Sequence, residues 1–434
     1  MNEKGKELYD KIKQKIKISQ KDETLERKFA DFWKLACTIK VRQHDMRYAY
    51  DDTSREFVDN YKDHLVKVRD DFLENMDSYV EKCIEIMRKV NNMEVHYAKT
   101  NEEAQKLFME ELGDRRVIYK SKSVEAKDIG IIDVLKENNV EIKETDLGDV
   151  LVQLFKYELP SFQIGPGAHF TEKEIAEKIK EVYNVELEPK AADIVDYFRN
   201  TYRKELLNNV KVSLTSANAI SAEDGTIVLG ENEGNISLLT RATEKHIVVC
   251  GITKIVPTLL DAVLIAKLQS RINNVSFRYI SLISGPSNTS DIQGTSVQGM
   301  YGAKELVVIL VDDWRTEAKN SDLLYKDFLR CIGCRSCNFI CTASRAFGNI
   351  YASKYGLGAT AIIRDYIHNG VESAVMDGLF LCTGCENCYH WCPVSINLGE
   401  IMKAIKKEAT EKGLCPPPLE EYKQKILKDK NPFK

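Results

Sequence analysis

The hydrophobic positions of this chain change period partway along it. Up to about Met93 they recur at helical spacing. Phe29, Phe32, Trp33, Leu35, Ala36 and Ile39 mark one apolar face, and Phe57, Tyr61, Leu65, Val68, Phe72 and Met76 continue the pattern. No Gly or Pro interrupts the run between Gly5 and Gly113. Long helices packed on the domain that follows are predicted, with the aromatic and Met side chains serving that packing. From about Glu94 to Thr316, short runs rich in β-branched residues alternate with helical segments. Strands are predicted at Glu94–Ala98, Arg116–Lys120, Val140–Lys143, Lys211–Leu214, Thr226–Leu229, His246–Cys250, Arg278–Ile283 and Glu305–Val311. Helices are predicted at Glu102–Leu112, Ala126–Asn138, Glu172–Val182 and Ala191–Leu207. This alternation predicts an α/β domain with a largely parallel sheet. Such sheets take ligands at the carboxyl ends of their strands.

After Asp312 the chain turns polar through Trp314, Arg315, Lys319 and Ser321, where a linker is expected. The expected organisation is N-terminal helices over 1–93, an α/β domain over 94–316, and a third, mainly helical domain with its tail over 323–434. The tail, Pro416-Pro417-Pro418 followed by a Lys-rich end, reads as an exposed extension.

Composition narrows the class. At 434 residues, two or three domains are expected. With 43% hydrophobic and 29% charged residues, the chain has the make-up of a globular protein able to bury a core. A net charge of −4 gives no case for nucleic acid or for an anionic membrane surface. The most apolar long stretch, His246 to Gln269, is broken by Lys254, Pro257 and Asp261, so no direct membrane span is expected. The start, Met1-Asn2-Glu3-Lys4, has no apolar core of a signal peptide.

Twelve cysteines change the picture most. Cys37, Cys83, Cys250 and Cys415 are isolated, as suits a reducing, cytoplasmic setting. The others form two runs: Cys331, Cys334, Cys337, Cys341, and Cys382, Cys385, Cys388, Cys392, the second followed by Pro393. Each run reads C-x2-C-x2-C-x3-C, the spacing of a protein holding two [4Fe–4S] clusters. In two-cluster ferredoxins the fourth cysteine of each run ligates the other cluster. The expected sets are therefore Cys331, Cys334, Cys337 with Cys392, and Cys382, Cys385, Cys388 with Cys341. Zinc sites favour two separated pairs and often histidine, so zinc and disulfides are set aside. Gly333 and Gly384 let the backbone approach inorganic sulfide. His390 and Trp391 are expected to shield a cluster, and His390 could tune it by protonation. The insert between the runs is compatible with helix at Ala359–His368 and Val371–Phe380, favouring an α-helical ferredoxin.

Two clusters side by side pass single electrons and do not abstract a hydride, so partner chemistry must lie in the α/β domain or in another subunit. In that domain the stretch Asp224 to Asn235 reads turn, strand, then a Gly-bounded loop with Glu231, Asn232, Glu233 and Asn235. Lys120-Ser121-Lys122-Ser123 follows another strand and opens a helix, where Lys120 and Lys122 with helix N–H groups could hold a carboxylate or phosphate. Together these form a candidate ligand site, with turns and caps on a solvated face as the equally weighted alternative. Gly285-Pro286-Ser287 reads as a structural strand-end turn. No GxGxxG follows a strand and no GxxxxGK[ST] is present, so nicotinamide and nucleoside triphosphate binding are unsupported.

The chain resembles the B-type iron–sulfur subunit of the L-lactate utilisation complex. The resemblance runs through Val95-His96-Tyr97-Ala98, Lys120-Ser121-Lys122-Ser123, Glu144-Thr145-Asp146-Leu147-Gly148, Asp224-Gly225-Thr226, Glu231 to Asn235, Gly251 to Pro257, Ser284-Gly285-Pro286 and both cysteine runs in order. It spans roughly residues 25 to 405 and implies a lactate-utilisation α/β domain, related in fold to the CoA-transferase and sugar-phosphate-isomerase group, fused to a two-[4Fe–4S] ferredoxin. It further implies two partners, a cysteine-rich iron–sulfur subunit and a second lactate-utilisation-domain subunit. Together these would oxidise L-lactate to pyruvate, with this chain as the electron relay and no catalysis of its own. Three departures stand out: Thr342 replaces an expected proline, Gly230 replaces a larger apolar residue, and the tail is short. The alternative is an electron-relay adaptor of another oxidoreductase, heterodisulfide-reductase-like or built on a flavoprotein. A third reading is a small-molecule-binding protein whose clusters are only structural.

Overall fold

The computed structural model describes residues 3–21, 52–156, 166–167, 170–272, 276–347 and 350–430. The apolar face predicted at Phe29 to Ile39, and Cys37, lie outside the described residues. The strands up to Val311, in chain order, are β1 (Glu94–Ala98), β2 (Val117–Lys120), β3 (Glu141–Glu144), β4 (Val212–Thr215), β5 (Ala219–Ser221), β6 (Ile227–Glu231), β7 (Lys245–Gly251), β8 (Ile255–Val256), β9 (Tyr279–Ile283), β10 (Asn288–Ile292), β11 (Thr295–Gln298) and β12 (Glu305–Val311). Six of them form one sheet in the order β1-β12-β7-β4-β2-β3, and every pairing is parallel.

The central strands β7 and β12 are buried almost throughout and read as continuous apolar runs, as both-sides-covered parallel strands do. The period-2 pleat sorts their side chains onto two faces. Val248, Cys250, Val308 and Leu310 meet Phe72, Met76, Cys83 and Met87 of the helices Asp52–Glu74 and Met76–Lys89. Ile247, Val249, Val307 and Ile309 meet Ala104, Phe108 and Leu112 of the Asn101–Leu112 helix.

Two predicted strands leave this sheet. Thr226–Leu229 and Arg278–Ile283 correspond to β6 and β9, which pair antiparallel in a second sheet ordered β8-β5-β6-β9. The added strands β5 and β8 have three and two residues, too short to show a period. Two predicted helices are each broken in two. Gly130, in the left-handed region, separates Glu125–Asp128 from Ile131–Glu137, and Thr201 separates Ala191–Asn200 from Tyr202–Asn209.

The segment after Asp312, expected as a linker, is a short helix, Arg315–Asn320, whose Arg315 is buried. Beyond it the chain is mainly helical. The insert forms Gly358–Met376, with Gly370 in a non-helical conformation between its two halves. The tail is exposed but helical, Pro417–Asp429, with proline in the first turn where no N–H donor is required. Leu65 and Val68, Ile265 of the Leu259–Arg271 helix, and Phe328, Ile362 and Ile405 share one core. The N-terminal helices thus pack on the cysteine-bearing region as well as on the sheet.

Candidate functional site

Both cysteine runs fold the same way. Cys331 follows the 3-10 turn Lys326–Arg330, and Cys382 follows Leu379–Leu381. Gly333 and Gly384 have φ of 74° and 70°, and Arg335 and Glu386 have φ of 64° and 58°. These paired left-handed residues curl each C-x2-C-x2-C loop around a centre. Short helices, Ser336–Ile340 and Asn387–His390, carry the chain on to Cys341 and Cys392. Backbone N–H groups then donate to the fourth thiols, Ser344 to Cys341 at 3.4 Å and Ile396 to Cys392 at 3.3 Å.

The eight thiols fall into two groups. Cys331, Cys334, Cys337 and Cys392 line a cavity of about 720 Å³. Cys341, Cys382, Cys385 and Cys388 line a small recess that Cys337 also borders. Burial pushes the Cys334 and Cys337 thiols well up, and mutual repulsion with their neighbours adds to it. Burial likewise lifts Cys392 to about 11 and Cys388 to about 12. For the exposed Cys385, burial pushes up, but the Asn387 N–H and the Thr383 and Thr342 hydroxyls outweigh it and draw the thiol below its usual value.

Thiols gathered at one centre bind a cation by giving up their protons to it, and that exchange removes the repulsion between neighbouring thiolates. Buried Ser336 Oγ has no protein partner, while the Ser344 and Tyr351 hydroxyls face the Cys341 and Cys382 thiols. Cysteine sulfurs with N–H and hydroxyl donors around them form the donor set an iron–sulfur cluster takes.

The cavity lies at the carboxyl edge of the parallel sheet. Ser121 to Glu125 follow β2, Asp146 to Gly148 follow β3, Ser216 to Asn218 follow β4, and Lys254 follows β7; all line it. The cysteine-bearing region closes the opposite side with Arg335, Thr360 and Arg364. Of the residues expected to hold a ligand, Lys122, Glu231, Asn232, Glu233 and Asn235 reach this cavity.

Several of them are already committed. Glu231 is buried and accepts from the Ile236 and Ser237 N–H groups, 2.6 and 2.9 Å, capping the Asn235–Ala242 helix. Glu233 accepts from the Leu147 N–H at 3.0 Å, and Asn235 Nδ2 donates to Thr145 Oγ1 at 3.2 Å. Lys120 does not reach the cavity; its buried ammonium pairs with both Glu144 oxygens at 2.8 and 2.7 Å. His390, expected to shield a cluster, is exposed, with its ring 5.7 Å from that of Tyr389. Trp391 is partly buried in the core that includes the cysteines. A Cβ at Gly230 would overlap the Phe277 ring, which explains the missing larger residue at that position.

The sequence reading missed a buried ionic network beside the cavity. Asp128 Oδ1 lies 3.0 Å from His368 Nε2 and 3.4 Å from Arg364 Nε, and its Oδ2 lies 3.3 Å from Arg315 Nη2. Glu125 accepts from the Gly251 N–H at 3.0 Å and lies 3.6 Å from Arg315 and 3.8 Å from Lys254. Burial pushes Asp128 up, but the His368 hydrogen bond and the Arg364 and Arg315 guanidiniums hold it down at about 2. The one signal was local: Lys254 sits inside the Gly251–Pro257 stretch.

Fold and site together define a parallel α/β domain whose ligand edge is closed by a cluster-binding helical module. Residues 80–311 match the LUD domain and residues 327–396 the 4Fe-4S dicluster domain, and the chain belongs to the LUD domain family. It is 27% identical over 365 residues to the uncharacterized electron transport protein YkgF of Escherichia coli (strain K12), covering 82% of this chain and 73% of that one. It is likewise 27% identical over 355 residues to lactate utilization protein B of Bacillus subtilis (strain 168), covering 80% and 70%. A crystal structure of a DUF162 family protein from Deinococcus radiodurans covers 56% of this chain and 98% of its own at 17% identity, with a TM-score of 0.28. No helix among the described residues is long and apolar enough to cross a membrane.

Proposed function

We propose that this chain is the electron-transferring iron–sulfur subunit of a cytoplasmic complex that oxidises L-lactate to pyruvate. Its partners would be a cysteine-rich iron–sulfur subunit and a second lactate-utilisation-domain subunit. The proposed ligand sets are Cys331, Cys334, Cys337 and Cys392 for one [4Fe–4S] cluster, and Cys382, Cys385, Cys388 and Cys341 for the other. When bound, two such clusters supply reversible one-electron transfer.

The observation that carries the reading is the two-ended arrangement of thiols. One group faces the cavity at the sheet edge, and the other reaches the surface at Cys385. Cations gather at the inner group: Arg69 and Arg364 both act on Cys331, and Arg335 on Cys331 and Cys337. Lys406 Nζ donates to the Cys382 carbonyl at the outer one. The residues thus hold charge inside and leave an outer edge for a partner. The relative named for lactate utilisation supports the substrate assignment, and the one named for electron transport supports the relay.

The test is to delete the chain from its host and measure L-lactate-dependent reduction of an added acceptor in extracts, then restore it. Loss with restoration supports the reading, and unaffected transfer removes it.

A further inference from the structure

We infer that a charge reversal between the two cysteine loops gives the relay its direction, with Arg335 raising the potential of the Cys331 cluster and Glu386 lowering that of the Cys382 cluster. The inference rests on the two-cluster reading above and adds which cluster receives the electron and which passes it on.

The loops read Cys331-Ile332-Gly333-Cys334-Arg335-Ser336-Cys337 and Cys382-Thr383-Gly384-Cys385-Glu386-Asn387-Cys388. They fold alike: Gly333 and Gly384, and then Arg335 and Glu386, share the left-handed conformation. The N–H donors to the two fourth thiols match as well, at 3.4 and 3.3 Å. Loop shape and these donors therefore give the two clusters no reason to differ in potential. Charge does. The position after the second cysteine holds a guanidinium in one loop and a carboxylate in the other. Reduction adds a negative charge to a cluster, so a cation in its loop favours reduction and an anion opposes it.

The surroundings extend the difference. Arg335 lines the cavity beside Cys331, Cys334 and Cys337. Burial lowers its pKa, Arg364 adds to that, and Asp149 opposes it. Arg69 donates to the carbonyl of Leu329, two residues before Cys331, and Lys254 Nζ lies 3.5 Å from where a Cβ at Gly333 would stand. Of the carboxylates here, Asp128 and Glu125 are shared with Arg315, and Asp149 with Lys122. Cations are thus in excess at the inner loop. At the outer loop the charges cancel more nearly. Lys406 Nζ donates to the Cys382 carbonyl at 2.5 Å, and Lys403 is divided between Glu386 at 2.8 Å and Glu400 at 2.6 Å. Burial by itself disfavours added negative charge at the inner cluster. The same low dielectric strengthens the excess guanidiniums there, while water screens charges around the exposed Cys385.

One electron therefore leaves the reduced outer cluster and enters the oxidised inner one, and no bond forms or breaks. A partner that donates at Cys385 sends its electron inward and downhill.

The experiment is an EPR-monitored redox titration of the anaerobically purified holo chain and its variants. The native chain is expected to reduce in two steps. Arg335→Gln lowers the upper step by about 59 mV or more, a tenfold change or greater in the reduction equilibrium, and leaves the lower step in place. Glu386→Gln raises the lower step by less, because water and Lys403 screen that carboxylate. The exchange Arg335→Glu with Glu386→Arg narrows the gap further than either change alone. Each residue type already stands in this backbone conformation in the other loop, so the exchange adds no new strain there. Movement of the lower step by Arg335→Gln, or of the upper step by Glu386→Gln, overturns the inference. So does a single native step, or no movement in either variant; the relay then stands without this direction. If Arg335→Gln fails to assemble its cluster, Glu386→Gln decides. Clusters that cannot be reduced at all remove the relay and its direction together.

Discussion

Arg364 Nε lies 3.4 Å from Asp128 Oδ1, and this buried pair ties the helix Gly358–Met376, which lies between the two cysteine runs, to the α/β domain. His368 and Arg315 complete the surroundings of the same carboxylate. A buried anion shared by three such groups is worth little against an apolar replacement of the whole set, but removing one member leaves the others uncompensated. Asp128→Asn should therefore destabilise the chain by about 3–5 kcal/mol. Urea unfolding of the cluster-loaded chain measures this, and limited proteolysis should cut it between the two regions.

Buried His246 sets a pH dependence. Its Nε2 lies 2.7 Å from Thr215 Oγ1, and burial lowers its pKa to about 3. In the unfolded chain the ring returns to about 6.5. The unfolded state thus binds the extra proton between these values, so stability is full above about pH 6.5 and falls as the pH drops towards 3. At pH 5 the loss from this group is about 2 kcal/mol. Denaturation midpoints from pH 7.5 to 5 should fall in the native chain and change less in His246→Gln.

The fourth cysteines provide a direct check of the crossed ligand sets. Cys392→Ala should remove the signal of the cluster built on Cys331, and Cys341→Ala that of the cluster built on Cys382. Iron content and EPR of each variant distinguish the crossed sets from the uncrossed ones, for which the losses would be exchanged.

Arg69 is a buried cation with no carboxylate within salt-bridge distance among the described residues. It is 1% exposed, donates to the Leu329 carbonyl at 2.8 Å and the Ile255 carbonyl at 3.3 Å, and its Nε has no partner. Burial lowers its pKa to about 10, and Cys331 exerts the strongest opposing effect. A negatively charged cluster bound at Cys331 would supply the partner this guanidinium lacks. Arg69→Met should make reduction of that cluster harder, lowering its potential by about 60 mV or more, a tenfold change or greater. The other cluster should keep its potential.

The sequence pattern made some of this visible and hid the rest for physical reasons. All eight predicted strands exist, because apolar β-branched runs such as Glu305–Val311 have no other stable place than a sheet. Their division between two sheets was hidden. Nothing local tells Thr226–Leu229 that its neighbour is β9 and not β4. The cysteine spacing announced its chemistry because thiolates two residues apart must share one centre. The Asp128 network could not be read in the same way, since Asp128 and His368 are 240 residues apart and each looks like an ordinary surface residue. Glu231 shows the converse error. A carboxylate in a Gly-bounded loop reads as a ligand group, but its oxygens are taken by the helix that starts beside it.

Whether electrons from L-lactate pass through this chain is most directly measured by freeze-quench EPR on the native complex, purified anaerobically and mixed with L-lactate. Reduced-cluster signals from this chain should appear no later than pyruvate does, and in Cys392→Ala the signal of the cluster built on Cys331 and sustained pyruvate formation should both be lost. Pyruvate formation at an undiminished rate, with both clusters of this chain remaining oxidised and an artificial acceptor still being reduced, would contradict the proposed relay.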